Sequence, residues 1–447
     1  SNFMVNRIAK YLQVFTFLFL CCECYIRADD YFPDKKVYHT VDRYISEVRQ
    51  LPIRFKELIT VEDAGVSREG NAILLVRMTD RTAEFASKVK ILLTFGEHAR
   101  EYLPVESFFK LIEDLAADFA TGEPAARHIL SHAELLLVGM LNPDGRRRIE
   151  RTGDYCIRGT GNNVDLNRNF PWVYGGPGGS GDPKNEEYRG ARAMSEPESM
   201  VLHDIAARHK PVAFMSMHTG AQFIFIPYGD SESKTLGRRP VNAREQLSLA
   251  STMWAASEGF FTGEGVVHEM NDYSADGTIA DYMAGVLHVP FVLTFELYGS
   301  PGDLPSCFVQ FNPSSARLDA TLRRFHPMYK AGFMHILRSR VGEPPATVPV
   351  SEAERRRAEG SVWEVLVGMD SPGSDLFKLE LTPKVEERVE LLKEICELTP
   401  RCAGFTSTGW LKFAIHKDSV VPLPSVTDYP SLHGTYLRSA APPPPRP

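Results

Sequence analysis

The sequence lacks the positive charge that marks proteins which bind nucleic acids. Its 50 Lys and Arg residues are outnumbered by 57 Asp and Glu residues, which gives a formal net charge of −7. Two arginine clusters, at 146–148 and 355–357, are short and are expected to be solvated faces rather than polyanion sites. An internal repeat is also missing. The hydrophobic fraction of 43% and the charged fraction of 24% are typical of an ordinary soluble globular protein.

Long apolar runs are scarce, and the one near the N-terminus is short for a membrane span. It covers 11–22, follows the basic residues Arg7 and Lys10, and is shorter than the roughly 20 residues that a spanning helix needs. A signal peptide over 1–28, cleaved near Ala28, is the favoured interpretation, and an uncleaved anchor is the alternative. We therefore expect a secreted or vacuolar/lysosomal protein with no stable membrane span. A glycosylation sequon is absent, because Pro313 blocks Asn312-Pro313-Ser314.

Cysteine is sparse, and its positions suggest a small number of disulfides. Of seven cysteines, three lie at 21, 22 and 24 and would leave with the signal peptide. The even remainder suits a secreted protein with two disulfides, although pairing cannot be deduced from sequence alone. Cys396 and Cys402 are close enough to pair locally. Cys156 with Cys307 is then the default.

The chain is long enough for one large domain and a smaller unit. Strand-like and helix-like segments alternate from residue 38 onward, which predicts an α/β domain with a mostly parallel sheet covered on both faces. The predicted strands are 72–78, 90–94, 133–140, 212–217, 224–226 and 289–295. The predicted helices are 41–57, 104–119, 196–209, 240–258 and a closing helix at 314–335.

A small α+β module is expected after this domain. The predicted boundaries are 29–340 for the large domain, 341–360 for a linker, 361–418 for the module and 419–447 for a proline-rich tail. Within the module we expect strands at 361–366, 402–406 and 410–413, and a helix at 385–397.

The clearest chemical signal is an H-x-x-E motif at the end of a predicted buried strand. His98 and Glu101 follow the apolar run 90–95, and open α/β sheets hold their ligands at the carboxyl ends of strands. An imidazole and a carboxylate three residues apart can bind one zinc ion. A third protein ligand would leave the fourth position open for water, as in catalytic zinc sites. Alone, this motif is weak.

Further segments in the same order strengthen the interpretation. They are Asn142-Pro143-Asp144-Gly145, Cys156-Ile157-Arg158, Asp165-Leu166-Asn167-Arg168, Ser216-Met217-His218, the run Tyr273 to Asp281, and Phe295-Glu296. Together they resemble the zinc metallocarboxypeptidases of the carboxypeptidase A type, over about 38–338. The resemblance implies a three-layer α/β/α sandwich with a mixed sheet, one Zn²⁺ ion, and hydrolysis of the C-terminal peptide bond of peptides or proteins.

The resemblance assigns the reacting groups. It implies that His98, Glu101 and His218 bind the metal, and that Glu296 is the general base. Arg158 matches the arginine that stabilises the developing oxyanion, with Arg151 as the fallback because the alignment through this loop is less secure. Asp165 matches a carboxylate that orients a zinc histidine.

The same resemblance assigns the substrate contacts. Asn167 and Arg168 match the residues that hold the terminal carboxylate, Tyr273 matches a mobile tyrosine that closes over it, and Arg100 matches a subsite arginine. Ala280 and Gly229 align with pocket positions and are uncharged, which favours apolar or aromatic C-terminal residues. Nearby acids, Asp272 and Asp276, leave a basic preference open.

Some features depart from the family. The predicted domain begins near the predicted cleavage site, so we expect no inhibitory prodomain, and Tyr282 stands where animal enzymes usually have tryptophan. The module resembles PAN/apple domains through Cys396-x5-Cys402-Ala403-Gly404-Phe405, which implies a protein or carbohydrate ligand; a structural appendage is the alternative. A zinc amidase or deacylase acting on non-peptide or cell-wall amides, and a non-catalytic binding homologue, remain alternative functions.

Overall fold

The structure is a computed structural model. It describes residues 32–83, 88–299 and 306–339, together with seven short strands beyond residue 361. Contacts divide the chain into two compact units, 1–343 and 344–447. The predicted signal peptide and the predicted Cys396–Cys402 pair lie outside the described residues.

An eight-stranded mixed sheet forms the centre of the first unit. Its spatial order is β1-β2-β4-β3-β5-β8-β6-β7, and the four central strands β4, β3, β5 and β8 are mutually parallel. This arrangement confirms the predicted mixed, mostly parallel α/β sheet. The strands are β1 (Ile59–Val66), β2 (Ala72–Met78), β3 (Val89–Phe95), β4 (Ala133–Val138), β5 (Ala213–His218), β6 (Gln222–Ile226), β7 (Gly263–Val266) and β8 (Phe291–Leu297).

Helices pack on both faces of this sheet and bury two separate apolar cores. Neighbouring residues of β3 serve opposite cores: Leu93 packs into the larger one and Leu92 into the smaller one. Burial on both faces explains the continuous apolar run that predicted this strand. The helices are α1 (Val41–Arg54), α2 (Leu103–Thr121), α3 (Pro124–His132), α4 (Pro143–Thr152), α5 (Pro197–His209), α6 (Ser231–Leu236), α7 (Ala243–Ala256), α8 (Val267–Met270), α9 (Ile279–Gly285), α10 (Cys307–Phe311), α11 (Ser315–Leu322) and α12 (Phe325–Arg338).

Local sequence signals fix the ends of α2, the helix that follows the metal-binding motif. Pro104 occupies its first turn, where no amide donor is needed, and Gly122 ends it in the left-handed region with φ of 82°. Its first amides find a distant acceptor, because Asn312 Oδ1 accepts from the amides of Tyr102 and Leu103 at 2.7 and 2.9 Å. Asn312, the asparagine of the glycosylation sequence that Pro313 blocks, therefore caps a helix more than 200 residues away in sequence.

Several elements differ from the sequence-based expectations. The predicted closing helix at 314–335 is two helices, α11 and α12, and the strand predicted over 133–140 ends at Val138. Strands β1 and β7 were not predicted, because β1 carries polar residues on its solvated edge and β7 contains two glycines. The short helices α3, α4, α6, α8, α9 and α10 were also missed.

Arg146 corrects the expectation that the 146–148 cluster is a solvated face. Its side chain is 1% exposed and lies over the ring of Tyr102, 3.5 Å from the ring centre. The guanidinium donates to the carbonyl oxygens of Ala99 and Glu101, at 2.9 and 3.0 Å. Arg146 therefore stabilises the backbone of the metal-binding motif, whereas Arg147 is a partly exposed partner of Asp42.

The described strands of the second unit form a two-stranded and a five-stranded sheet. β9, β12 and β13 coincide with strands expected from the sequence. The larger sheet also includes β15, although that segment was assigned to the proline-rich tail. The predicted helix at 385–397 lies outside the described residues, and the PAN/apple resemblance stays a prediction. The strands are β9 (Val362–Val367), β10 (Met369–Asp370), β11 (Asp375–Lys378), β12 (Gly404–Thr406), β13 (Trp410–Lys412), β14 (Val421–Pro422) and β15 (Gly434–Ser439).

Among the described residues, no helix combines the length and apolar character needed to cross a bilayer.

Candidate metal and substrate site

Three neighbouring parallel strands deliver the key residues to one edge of the sheet. β3 leads into the 96–101 motif, β5 ends at His218, and β8 carries Glu296 directly opposite His218 in register. Gly96, with φ of 63°, makes the turn after β3, and a side chain there would press on Val105 and the Met140 backbone. Strand order therefore brings together residues that are up to 198 positions apart.

His98, Glu101 and His218 form a buried cluster with metal-ligand geometry. One donor atom from each lies within 4.8 Å of the others. The two Nδ1 atoms are 3.1 Å apart, and Glu101 oxygens lie 2.7 Å from His98 Nδ1 and 3.2 Å from His218 Nδ1. This brings together the three predicted ligands.

Each histidine is held from behind by its other ring nitrogen. His98 Nε2 lies 3.1 Å from Asp165 Oδ1, as the sequence predicted for an orienting carboxylate. His218 Nε2 lies 2.7 Å from Ser216 Oγ and 2.8 Å from Glu97 Oε2. Both rings therefore present Nδ1 to the cluster, the tautomer that a metal ligand requires.

The electrostatics of the cluster suit a dication. Burial opposes ionisation of Glu101, but the His98 and His218 rings hold its pKa well below the usual range. Burial also lowers the pKa of His218, yet the Glu97 carboxylate raises it well above its ordinary value. Two imidazole nitrogens and one carboxylate are the donor set of catalytic zinc sites with an open position. These residues therefore fit Zn²⁺.

Glu296 differs from Glu101 in its environment. Part of its side chain faces the cleft, but Oε2 is buried and accepts no hydrogen bond from the described residues. Burial raises the pKa of Glu296 to about 7, and the Glu101 carboxylate adds to the effect. A carboxyl group with a pKa near neutrality can both take up and release a proton at physiological pH.

A cleft of about 680 Å³ opens over this cluster. It is lined by all the predicted ligands, by the predicted catalytic residues Glu296 and Arg158, and by each predicted substrate-binding residue: Arg100, Asn167, Arg168, Tyr273 and Ala280. Asp165 lies behind the cleft wall. The fallback arginine, Arg151, is instead exposed on α4, 3.5 Å from Glu69. The geometry therefore favours Arg158 over Arg151.

Two arginines form one side of the cleft, Arg158 partly buried and Arg168 buried. Arg158 Nε donates to Asp165 Oδ2 at 2.8 Å, so one carboxylate positions both Arg158 and His98. Arg168 is 3% exposed and donates to Glu187 at 2.7 Å. Asn167 accepts from the Ile279 amide through Oδ1, which leaves its amide group available to the cleft.

Arg100 and Tyr273 lie at the mouth of the cleft. Arg100 donates to Glu186 at 2.7 Å, and its guanidinium lies over the Phe311 ring, 4.2 Å from the ring centre. Tyr273 is 62% exposed. Its ring therefore lies at the solvent-facing rim of the cleft, and its closure over a substrate stays a prediction.

The floor of the cleft carries no accessible charge among its described residues. Gly229 and Ala280 lie there beside Asp281. Both Asp281 oxygens accept from the Gly229 amide, at 3.1 and 2.9 Å, and burial followed by the nearby Asp230 raises the pKa of Asp281 well above its usual value. Burial therefore favours the protonated form of Asp281.

Asp276 is committed to structural hydrogen bonds. It is 2% exposed and accepts from the amides of Gly178 and Ser231, both at 2.7 Å, and from Ser231 Oγ at 3.0 Å. Its carboxylate joins two loops to the first turn of α6, and Asp276 is not among the residues that line the cleft.

Sequence reasoning missed three acidic residues that line the cleft and one, Glu97, that lies behind it. Glu186 and Glu187 lie in a long loop without a motif, so their contacts with arginines left no sequence signal. Asp281 follows Ala280 in the quoted run but was given no role. Glu97 lies inside the quoted 96–101 motif, and its position next to the predicted ligand His98 was the sequence feature that could have identified it.

The profile of the zinc carboxypeptidase family matches residues 44–322, more than half of the chain. The chain therefore belongs to the zinc carboxypeptidase family.

Relatives of both A and B type are similar to this chain. Carboxypeptidase A2 of Mus musculus is 28% identical over 205 residues, which is 43% of this chain and 47% of the relative. Carboxypeptidase B of Helicoverpa zea is 26% identical over 274 residues, 58% of this chain and 61% of the relative. A zinc carboxypeptidase of Saccharothrix mutabilis subsp. capreolus is 28% identical over 284 residues, which is 60% of this chain and 64% of the relative. The chain thus spans about half to two thirds of these relatives.

Solved structures share the fold. Carboxypeptidase A from Helicoverpa armigera superposes with a TM-score of 0.58 at 23% identity, over 67% of this chain and 73% of that chain. Bovine thrombin-activatable fibrinolysis inhibitor, in complex with tick carboxypeptidase inhibitor, superposes with a TM-score of 0.57 at 20% identity. The superposition covers 68% of this chain and 98% of that chain. At such identities, the likeness supports the α/β architecture alone.

Proposed function

We propose that this protein is a zinc-dependent carboxypeptidase that releases the C-terminal residue of peptides or proteins. The observation that carries the proposal is one cleft that joins a buried His-Glu-His cluster, a glutamate with a pKa near 7 and a buried arginine. Each is a separate requirement of peptide hydrolysis from a free C-terminus.

Zinc, when bound by His98, Glu101 and His218, supplies a polarised water and a Lewis acid. Glu296 is the proton carrier: its carboxylate takes a proton from the attacking water and gives it to the leaving amine. Its pKa of about 7 suits both directions of transfer. Arg158, held by Asp165, offers its remaining donors to the oxyanion that develops on the scissile carbonyl.

Recognition of a free terminal carboxylate is the role of Arg168 and Asn167. Arg168 Nε is buried and has no hydrogen-bond partner among the described residues, so a donor remains for a ligand. A planar guanidinium matches a planar carboxylate, and an internal peptide bond offers no such group. Tyr273, exposed at the rim, is placed to cover the bound terminus.

The floor of the cleft supports a preference for apolar or aromatic C-terminal residues. Val267 and Phe225 line it together with Gly229 and Ala280, and the adjacent Asp281 is fully buried, with both of its oxygens accepting from the Gly229 amide. The basic alternative depended on Asp276 and Asp272. Asp276 is occupied by three structural hydrogen bonds, and Asp272 is exposed.

Secretion remains part of the proposal. The Cys156–Cys307 disulfide, with a Cα–Cα distance of 5.2 Å, is of a kind that persists in oxidising compartments.

The test is release of the terminal amino acid from matched blocked dipeptides ending in Phe or Arg. Purified protein is assayed before and after a zinc chelator, with bound metal quantified. We expect chelator-sensitive release that favours Phe. The variant Glu296→Gln should retain zinc and lose at least about 100-fold in kcat, because it cannot carry the proton. Glu134→Gln, which changes a buried glutamate of β4 outside the cleft, is the matched control.

The outcomes are distinct. Faster release of Arg would overturn the apolar preference and leave the reaction standing. Zinc-loaded protein that releases neither residue would overturn the carboxypeptidase proposal. An equal rate on dipeptides with an amidated terminus would argue against the role of Arg168.

A further inference from the structure

A buried glutamate beside the second histidine has no part in the steps above. Glu97 is 1% exposed, precedes His98 in sequence, and directs its carboxylate toward His218 instead. Oε1 accepts hydrogen bonds from Thr94 Oγ1 and, at 2.7 Å, from Ser216 Oγ. Oε2 lies 2.8 Å from His218 Nε2.

The hydrogen-bonded path from His218 to Glu97 runs through Ser216. Ser216 Oγ donates to Glu97, so its oxygen is left to accept from His218 Nε2–H at 2.7 Å. The 2.8 Å approach of Glu97 Oε2 to the same nitrogen lacks hydrogen-bond geometry and is an electrostatic contact. This path places the proton of His218 on Nε2 and the lone pair on Nδ1, which faces the cluster.

The charge of Glu97 lacks the usual compensation. Within the part of the chain that the structure describes, no Lys or Arg lies within ion-pair distance of Glu97, and its one such contact is with the His218 ring, which is neutral in the tautomer described above. Burial of a carboxylate in this way is destabilising unless a positive charge is near. A dication on the opposite side of the His218 ring supplies that charge.

The two histidines are supported in parallel ways. Asp165, fully buried, contacts His98 Nε2 directly, and Glu97 reaches His218 Nε2 through a serine. Carboxylates placed behind a metal-binding imidazole fix its tautomer and orientation and make it a stronger donor.

We propose that Glu97 is a positioning residue for the metal site, acting through Ser216 to orient His218 and to tighten zinc binding. The proposal rests on the proposed zinc-dependent function. It adds a second carboxylate–histidine unit, beside that of Asp165, to the support of the metal cluster.

The experiment measures the zinc dissociation constant of the purified full chain at pH 7.5, by competition with a chromophoric chelator. Glu97→Gln keeps the volume and an acceptor for Ser216 but removes the charge. We expect zinc binding to weaken about 10- to 100-fold, as for other carboxylates behind metal-binding histidines. Asp165→Asn serves as a positive control of the same kind. Glu134→Gln, a buried β4 glutamate paired with Arg77, should leave zinc binding unchanged.

A double-mutant cycle tests the path through the serine. Ser216→Ala removes only the bridging hydroxyl and should itself weaken zinc binding. In the Ser216→Ala background, Glu97→Gln should lower the zinc affinity by a smaller factor than it does in the wild-type chain. Melting temperatures of the metal-free variants separate weakened binding from misfolding.

Each outcome is decisive. Wild-type affinity in Glu97→Gln overturns the proposal, and full additivity with Ser216→Ala overturns the path through serine. If Glu97→Gln does not fold, Ser216→Ala alone carries the test, and unchanged zinc binding there overturns the proposal. A wild-type chain that binds no zinc refutes the proposed function instead.

Discussion

Acidic side chains of the cleft differ in protonation because their surroundings differ. Glu101 faces two imidazole rings, which hold its pKa well below the usual range. Burial raises the pKa of Glu296 to about 7, and that of Asp281 rises well above its ordinary value through burial and Asp230. Carboxyl groups thus provide a metal ligand held in its anionic form, a proton carrier and, at Asp281, a group whose protonated form is favoured. Such a separation of pKa values allows one site to carry out both acid and base steps.

Arg168 provides the residue-scale prediction. Substitution of Arg168→Met should lower kcat/KM about 10- to 100-fold on peptides with a free carboxylate, because charged hydrogen bonds are worth about 1.5–3 kcal/mol. The fall should appear mainly in KM, and zinc content should not change. The measurement is steady-state kinetics on a blocked dipeptide with free and amidated termini.

Arg49→Met is the control for loss of a paired arginine. Arg49 donates to Asp63 at 2.6 Å, on α1 and β1 at the sheet edge and outside the cleft lining. Its kcat/KM should match the wild type. If Arg168→Met keeps wild-type KM for the free carboxylate, the assignment of Arg168 as the carboxylate-binding residue fails.

The part of the site that can be predicted from sequence alone is the part that regular secondary-structure elements carry. His98, Glu101, His218 and Glu296 follow or end buried apolar strands, and such strands are visible as patterns in the sequence. Parallel strands place their carboxyl ends at one edge, so motif and pattern together predict a shared site.

Contacts made between loops were not predictable in this way. Arg168 pairs with Glu187, and Asp276 binds Gly178 and Ser231 across 98 and 45 residues. Loop sequences carry no periodic pattern, so these contacts can be identified only in the folded structure. The prediction for Arg146 was wrong for the same reason. The 146–148 cluster has the composition of a solvated face, and its contact with the 96–101 backbone is visible only in the fold.

The first turn of α5 carries the element-scale prediction. Glu198 is fully buried, and burial raises its pKa from 4.5 to about 7, although hydrogen bonds from backbone amides oppose the shift. Because the folded state holds the proton more tightly, this group contributes most stability below about pH 4.5. That contribution is lost as the pH rises through about 7. The difference is worth up to about 3 kcal/mol.

Glu198→Gln, a neutral side chain of the same shape, should remove this dependence. We expect the variant to exceed the wild type in unfolding free energy by about 1–3 kcal/mol at pH 8 and to differ little at pH 5. Denaturant unfolding at the two pH values, with zinc constant, provides the measurement. Glu57→Gln, at an exposed position, should show no pH-dependent difference. Equal stability of Glu198→Gln and wild type at pH 8 would contradict the argument.

At the scale of the whole first unit, one covalent link joins two parts of the cleft wall. The Cys156–Cys307 disulfide closes a loop across 151 residues and was the default pairing inferred from sequence. It joins the loop that carries Arg158 to helix α10, where Phe311 packs against Arg100. The link therefore connects two walls of the cleft that are distant in sequence.

The double substitution Cys156→Ser with Cys307→Ser should have two separable effects. Loss of a disulfide that closes so long a loop should lower the unfolding free energy by about 2–5 kcal/mol, chiefly by freeing the unfolded chain. Release of the Arg158 loop from α10 should also lower kcat/KM at temperatures where the variant is fully folded, while zinc content stays constant. Thermal unfolding and low-temperature kinetics measure the two effects. Treatment of the wild type with a reductant should reproduce both. A destabilised variant with wild-type kcat/KM would show that the disulfide stabilises the fold without shaping the cleft, and the reverse result would place its contribution in the cleft alone.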